Sequence, residues 1–352
     1  MTTWERLADL ELRIDDYVLE PLRMNVSSGF ERLSTVVRLR GGALEGVGED
    51  VTYEAADHEA AWEAGPNLPL AGTYTLATFA DHVADLDLFG GREPDNAVYR
   101  RYRRWAYESA ALDLALNQAG LALHDALGRE PEPLTFVVSL RLGEPASMEP
   151  LTKRLATYPS LRFKLDPTPT WTDEIIAELV ATGAVDSVDF KGHYTGAVVD
   201  VGADPDLYRR VIAAFPDAWY EDPRLTPEID ELLKPHHDRI TWDAPIHSIA
   251  DIEALPFLPR MVNVKPSRFG SLQGLMDAYD WLAERDIGAY GGGQFELGPG
   301  RGQIQLLACI FHPSTPNDVS PTGFHVDDPP AGLPTSPMEA RPSATGMRWA
   351  QD

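Results

Sequence analysis

The 352-residue sequence has a single cysteine, Cys309, and few basic residues. One cysteine cannot form a disulfide within the chain, so nothing in the sequence indicates an oxidising compartment. Lysine and arginine together number 30, against 55 aspartate and glutamate residues, and the formal net charge is −25. So acidic a chain is a poor binder of polyphosphates and of anionic lipid surfaces. Neither nucleic acid nor a membrane is therefore an expected partner.

Long hydrophobic runs are also lacking. No apolar run approaches the ~18 residues that indicate a membrane span. Residues 1–17 carry acids where a secretory signal carries basic residues and an apolar stretch. Hydrophobic residues nevertheless make up 43% of the chain, which is enough for a large core. These features predict a cytoplasmic enzyme or binding protein.

Hydrophobic patterning divides the chain into two folded regions and a tail. Residues 1–130 combine a β-rich segment at 34–39 with a helical segment at 99–124, which is typical of an α+β domain. Residues 326–352 are rich in proline and poor in large apolar groups. This composition predicts a tail that wraps the surface or is disordered.

Between residues 131 and 325, short β-prone runs alternate with helices. The helix starts are marked by Thr172, by Asp204-Pro205 and by Thr226-Pro227, each with a capping side chain at the amino terminus. Repeated β–α units of about 25–30 residues indicate an α/β barrel of the TIM type. A doubly wound open sheet is the alternative, although no glycine-rich phosphate loop follows the first strand.

Single charged residues occur where the predicted barrel strands end. They follow one another at intervals of 25, 32, 22 and 22 residues, about one β–α unit each time. In a barrel they occupy equivalent positions at the carboxyl-terminal rim, where active sites form. The residues are Lys164, Asp189, Glu221, Asp243 and Lys265.

The three acids in this series predict a cation site. Carboxylates that converge from neighbouring strands repel one another unless a cation lies between them. Oxygen ligands without cysteine or histidine select a hard ion, so Asp189, Glu221 and Asp243 predict Mg²⁺, with Mn²⁺ as the alternative. Lys164 and Lys265 lie on opposite sides of such a barrel. A lysine in poorly solvated surroundings has a lowered pKa and can act as a base on a bound substrate.

Together these motifs resemble the enolase superfamily, in particular its muconate-cycloisomerase-like branch. The resemblance covers nearly the whole chain. It depends on the order of the following segments: E-S-A-A-L-D-L-A at 108–115, R-F-K at 162–164, Asp189, E-D-P at Glu221, W-D-A at Asp243, N-V-K-P-S-R-F-G-S-L around Lys265, and G-G-G-Q-F-E-L-G-P-G-R at 291–301.

The resemblance implies a (β/α)7β barrel with an amino-terminal α+β capping domain, to which the carboxyl-terminal segment returns. It places a mobile specificity loop at residues 15–30 of the cap. His193 and Tyr194, on the loop after the third barrel strand, are expected to be surface residues, with substrate contact as the alternative. A small-molecule carboxylate is the implied substrate, and a homo-oligomer is the implied assembly.

The resemblance also implies a mechanism. Mg²⁺ on Asp189, Glu221 and Asp243 would bind the substrate carboxylate, and Lys164 or Lys265 would remove the α-proton to give a metal-stabilised enediolate. The other lysine would return a proton or stabilise charge. The expected outcome is racemisation, epimerisation or syn-elimination, as in o-succinylbenzoate synthase or N-acylamino acid racemase.

Further residues are expected near the substrate. Arg162 and Glu296 are implied to be supporting or substrate-facing residues, and Arg162 is expected to hold the pKa of Lys164 down. Lys191 stands where the family commonly has asparagine, and is expected either to contact substrate or to point outward. Ala244 stands where the family commonly has glutamate.

Two alternatives stay open, the second of them because of these departures. One is a cycloisomerase or an acid-sugar dehydratase of the same superfamily. The other is a non-catalytic paralogue that binds a carboxylated ligand.

Overall fold

The computed structural model describes residues 1–26, 30–193 and 202–350. The amino-terminal region opens with a 3₁₀ helix at Trp4–Arg6. The strands and helices that follow are β1 (Glu11–Ile14), β2 (Asp16–Asn25), β3 (Glu31–Gly41), β4 (Leu44–Asp50), α1 (Ala55–Ala64), β5 (Gly72–Thr75), α2 (Leu76–Ala84), α3 (Val98–Ala119) and α4 (Leu123–Leu127).

An antiparallel sheet packed against one long helix forms this region. Strands β2, β3 and β4 pair in that order, and α3 lies across β4. Gly46 and Gly48 make the close approach of α3 possible, because a Cβ atom at either position would lie within 2.2 Å of a backbone oxygen of the helix. The predicted helical segment 99–124 is divided at Gly120, whose left-handed φ of 69° ends α3.

The predicted specificity loop at residues 15–30 is mostly regular structure. Strand β2 takes up Asp16–Asn25 of this segment and pairs with β3 along its full length. Residues 27–29 lie outside the described residues, as does Tyr194 of the predicted loop pair.

The second region alternates strands and helices. Its elements are β6 (Val138–Leu140), α5 (Glu149–Thr157), β7 (Phe163–Leu165), α6 (Asp173–Thr182), β8 (Val185–Asp189), α7 (Pro205–Ala214), β9 (Trp219–Glu221), α8 (Pro227–Leu233), β10 (Ile240–Thr241), α9 (Ile249–Glu253), β11 (Met261–Val264), α10 (Pro266–Phe269), α11 (Leu272–Glu284), β12 (Gly288–Gly291) and α12 (Pro299–Phe311). The predicted caps are confirmed, because the side chains of Thr172, Asp204 and Thr226 each accept a backbone N–H at the start of a helix.

All of these strands are parallel. Strands β6 to β10 form one sheet in chain order, and β11 pairs with β12. The backbone N–H of Asn263 donates to Trp242 O at 2.9 Å and joins the two sheets. Beyond α12, Asn317 bridges Phe136 and Asp318 bridges Gly292, both in parallel orientation. This last segment closes the ring between β12 and β6, which gives the predicted (β/α)7β barrel.

The Asn317 side chain stabilises the closed ring by hydrogen bonds to both of its ends. Its Oδ1 accepts the backbone N–H of Gly291 at 2.5 Å, and its Nδ2 donates to Thr135 O at 2.9 Å. Its Oδ1 also lies 2.7 Å from Nδ1 of the buried His312. One buried amide therefore links β12, the end of α12 and the approach to β6.

Residues 327–350 pack back onto the amino-terminal region. The N–H of Met347 and Nε of Arg348 both donate to the carboxylate of Asp113, which is fully buried in α3. Among the described residues, none of the helices combines the length and apolar character that crossing a membrane requires.

Candidate active site

The predicted charged residues lie at the carboxyl ends of consecutive strands. Lys164 is the middle residue of β7, and Asp189 and Glu221 end β8 and β9. Asp243 follows β10 by two residues, and Lys265 directly follows β11. All five side chains are buried. The barrel therefore brings together residues that are separated by up to 101 positions in the sequence.

Three of the buried acids form one tight group. Each of Asp189, Glu221 and Asp222 offers a carboxylate oxygen, and these oxygens lie within 4.8 Å of one another. Asp222 is not among the predicted ligands, although the E-D-P segment places it next to Glu221. Asp243 is not part of this group, and Lys265 and Arg268 contact its carboxylate. Oxygen donors so close together, with no sulfur or nitrogen among them, fit a hard divalent cation such as Mg²⁺.

Lys164 lies within the acidic group. Its ammonium pairs with Glu221 and lies 3.3 Å from Oδ2 of Asp189 and 3.3 Å from Oδ2 of Asp318. Burial disfavours the charged form of Lys164, but the surrounding carboxylates outweigh it and hold the lysine's pKa well above its ordinary value. The hydroxyl of Tyr290 donates to Oε2 of Glu221 at 2.5 Å.

Lys265 has the opposite electrostatic setting. Its Nζ donates to Oδ2 of Asp243 at 2.9 Å, and Arg268 donates to Oδ1 of the same acid at 2.8 Å. Burial lowers the pKa of Lys265, and the positive charges of Arg268 and Lys164 add to that effect. Burial alone would raise the pKa of Asp243, but Arg268 and Lys265 keep it well below its usual range.

Asp222 connects the ends of β9 and β10. Its two carboxylate oxygens accept the backbone N–H groups of Asp243 and Ala244, each at 2.9 Å. Burial, together with the negative charges of Asp243 and Asp189, raises the pKa of Asp222 to about 7. The Asp222 carboxyl is thus partly neutral near pH 7, and both of its oxygens accept backbone N–H groups.

Lys191 turns inward to the acidic group. Its backbone N–H donates to Oδ1 of Asp189 at 3.0 Å, and its ammonium pairs with Oδ2 of the same carboxylate. The ammonium lies 3.8 Å from Oδ1 of Asp166. The prediction that Lys191 points outward is therefore wrong. Its ammonium contacts acids of the chain itself, Asp189 and Asp166.

The expectation for Arg162 is wrong. Its guanidinium pairs with Asp186 and with the carbonyl of Gly183, and its side chain is 41% exposed. Gly183 precedes β8, so this contact lies near the opposite end of the barrel from the acids. The pKa of Lys164 is raised rather than lowered, because carboxylates surround its ammonium.

Glu296 lies on the loop after β12, beneath the amino-terminal region. Its Oε2 lies 3.0 Å from Arg301, and its Oε1 accepts the N–H of Gln294 at 2.7 Å. The neighbouring Leu297 and Gly298 donate their N–H groups to Glu49 of β4. This loop thus joins the barrel rim to the cap.

Family models match both regions of the chain. Residues 5–126 match the amino-terminal model, and residues 130–326 the carboxyl-terminal model, of a family described as a domain of unknown function, DUF8230. The o-succinylbenzoate synthase of Bacillus subtilis (strain 168) is 24% identical over 248 residues, which are 67% of this chain and 64% of that protein. The match thus spans less than two thirds of that relative.

Solved structures share the fold. A member of the enolase superfamily from Roseovarius nubinhibens ISM has a TM-score of 0.65 and 20% identity, covering 97% of this chain and 94% of that one. A dipeptide epimerase from Methylococcus capsulatus, complexed with Mg ion, has a TM-score of 0.62 and 19% identity, over 90% and 88% of the two chains. Muconate cycloisomerase from Pseudomonas fluorescens has a TM-score of 0.62 and 16% identity, over 88% and 87%. These similarities confirm the predicted enolase superfamily fold. The o-succinylbenzoate synthase, the dipeptide epimerase and the muconate cycloisomerase among them are enzymes by name.

Proposed function

The chain belongs to the DUF8230 family, and on that premise we propose that it is a Mg²⁺-dependent enzyme that removes the proton α to a substrate carboxylate. The outcome is racemisation or epimerisation, or syn-elimination of the kind that an o-succinylbenzoate synthase catalyses. The observation that carries the proposal is the placement of two buried lysines on either side of the acids.

The two lysines lie across the barrel from each other. Lys164 belongs to β7 and Lys265 follows β11, so four strand positions separate them in a ring of eight. Strand positions four apart in such a ring are diametrically opposed. A carboxylate substrate held between them presents opposite faces of its α-carbon to the two lysines, as two-base racemisation requires.

The pKa values of the two lysines are shifted in opposite directions, which suits them to different roles. The lowered pKa of Lys265 favours its neutral form and makes it the base that removes the α-proton. The raised pKa of Lys164 keeps it protonated, so that it stabilises negative charge on the substrate or returns a proton. Two groups with opposed pKa shifts are the arrangement that an acid–base pair needs.

Asp189, Glu221 and Asp243 would hold the cation. Asp189 and Glu221 are in the tight acidic group. We place Asp243 third because basic side chains contact its oxygens, whereas backbone N–H groups contact both oxygens of Asp222. A bound Mg²⁺ supplies a positive charge that stabilises the substrate carboxylate as the α-proton leaves. A small-molecule carboxylate is the substrate class that this site fits.

The test is Mg²⁺-dependent exchange of the substrate α-proton with deuterium, followed by proton NMR in D₂O. A panel of N-acylated amino acids and cyclohexadiene carboxylates covers racemisation and elimination, and the product distinguishes the two. We expect Lys265→Ala to abolish exchange and Lys164→Ala to reduce it by a factor of roughly a hundred or more. Lys234→Ala, which removes a solvent-exposed lysine beside Glu231, is the matched control and should retain full activity.

The proposal is wrong if no carboxylate of the panel exchanges with the wild-type protein. It is also wrong if exchange occurs but both lysine variants match the control.

A further inference from the structure

The ammonium of Lys191 is paired with Asp189, one of the three proposed metal ligands. We propose that its ammonium is a built-in competitor for the cation: it takes the place of the metal on Asp189 Oδ2 and must move to Asp166 before a divalent cation binds. This inference rests on the proposed function, because it concerns the same carboxylates.

The geometry of Lys191 is specific to Asp189. Its φ of 53° lies in the left-handed region, which a lysine rarely adopts. That turn folds the residue back onto the acid two positions earlier, with the N–H on Oδ1 and the ammonium on Oδ2. A single residue thus engages both oxygens of Asp189. A divalent cation bound to Asp189 would lie beside this ammonium, and the two positive charges would repel each other.

The charge around the ligands supports displacement rather than simple addition. Among the described residues, three acids that we assign to the cation contact four basic side chains: Lys164, Lys191, Lys265 and Arg268. These acids therefore already have basic partners within the chain. These basic groups would repel a divalent cation on the same carboxylates, and withdrawal of one of them reduces that repulsion.

Asp166 is the position to which Lys191 withdraws. Its Oδ1 lies 3.8 Å from the Lys191 ammonium and, among the described residues, has no hydrogen-bond partner. The Asp166 side chain is buried, so this oxygen is costly to leave unpaired. Its Oδ2 already accepts from Arg141 at 3.0 Å, which holds the carboxylate in place. A small rotation of the lysine chain moves its ammonium from one carboxylate to the next.

The experiment measures binding of Mn²⁺ alone, by calorimetry and by electron paramagnetic resonance, without substrate. We expect Lys191→Met to bind Mn²⁺ about tenfold more tightly or better, within the range that residues beside metal ligands produce. Lys191→Asn, a second neutral variant, should behave likewise. Lys234→Met removes the same charge from an exposed position and should leave the affinity unchanged.

A double-mutant cycle tests the role of Asp166. Asp166→Asn should weaken Mn²⁺ binding in the wild-type background, because the displaced ammonium loses its partner. In the Lys191→Met background the same substitution should have little effect. An Asp166→Asn effect of equal size in both backgrounds would show that Asp166 acts without Lys191 and would overturn the inference.

Other outcomes separate this inference from the proposed function. If the wild-type protein binds Mn²⁺ and exchanges substrate protons, but Lys191→Met binds no more tightly, only the inference is wrong. If none of the variants binds Mn²⁺, both are wrong.

Discussion

The carboxylate of Asp222 accepts the backbone N–H of Asp243 at 2.9 Å. The two acids are neighbours at the ends of adjacent strands, yet their pKa values are shifted in opposite directions. Asp222 is held by peptide groups, whereas Asp243 is held by basic side chains. Asp222 is therefore an acid bound to the backbone, and Asp243 is an ionised acid paired with basic side chains.

Replacement of these two acids should therefore have different effects. Asp243→Asn should weaken Mn²⁺ binding by roughly tenfold or more, because a negatively charged ligand becomes neutral. Asp222→Asn should leave the affinity within a factor of about three while it destabilises the protein by about 1–3 kcal/mol, because one backbone N–H loses its acceptor. Calorimetry with Mn²⁺ and thermal unfolding of each variant provide the two readings. The assignment of Asp243 fails if Asp222→Asn is the variant that loses the metal.

The rate of proton exchange should depend on pH through Lys265. A base acts in its neutral form, so the exchange rate should rise with pH and level off above the pKa of Lys265. Because burial lowers that pKa, the plateau should begin below the ordinary lysine value of ~10.4. Rates measured from about pH 6 to about pH 10 check this. Lys265→Arg keeps the charge but cannot lose its proton, so it should be inactive throughout; a rising limb in that variant would exclude Lys265 as the base.

Gly292 provides the space for the Lys265 side chain. A Cβ atom at this position would lie 2.6 Å from Cε of Lys265 and 2.6 Å from Oδ1 of Asn263. Gly292→Ala should therefore displace the lysine and lower the exchange rate by about a hundredfold, as a misplacement of ~1 Å does. Gly202→Ala, where no atom of the described residues other than its chain neighbours lies within 4 Å of the added carbon, is the control. Equal rates for the two variants would mean that the position of Lys265 does not limit the reaction.

His312 should make the fold sensitive to acid. Burial lowers the pKa of His312 to about 4, whereas an unfolded histidine has a pKa of ~6.5. As the pH falls, this histidine is protonated in the unfolded chain before it is protonated in the folded one. The free energy of unfolding therefore decreases as the pH falls from ~6.5 toward 4. The loss amounts to roughly 3 kcal/mol.

His312→Gln removes this titration while it keeps hydrogen-bonding groups beside Asn317 and Tyr279. Urea unfolding between pH ~7 and ~4 should then show a shallower fall in the free energy of unfolding than the wild-type protein. His82→Gln, at the surface of α2, is the control for loss of an imidazole. A fall as steep in His312→Gln as in the wild-type protein would contradict the prediction.

Several features of the fold are local and were therefore predictable from the sequence. Helix caps such as Thr172 and the alternation of β-prone and helical runs depend on neighbouring residues only, and the structure confirms them. The regular spacing of Lys164, Asp189 and Lys265 was informative because every β–α unit returns the chain to the same rim of the barrel. Spacing thus located the candidate site without any knowledge of contacts.

Spacing does not decide which charged groups meet. Arg162 lies two positions before Lys164 in the R-F-K segment. It nevertheless pairs with Asp186 near the opposite end of the barrel. Asp222 belongs to the acidic group, although spacing did not predict it. Lys191 has a left-handed φ and folds back onto Asp189. Closure of the ring by Asn317 joins residues 182 positions apart. The sequence by itself determined the order of strands and the residue types at their ends. Only the tertiary structure decided the ion pairs, because their energies depend on distance and burial, which are set by closure of the barrel.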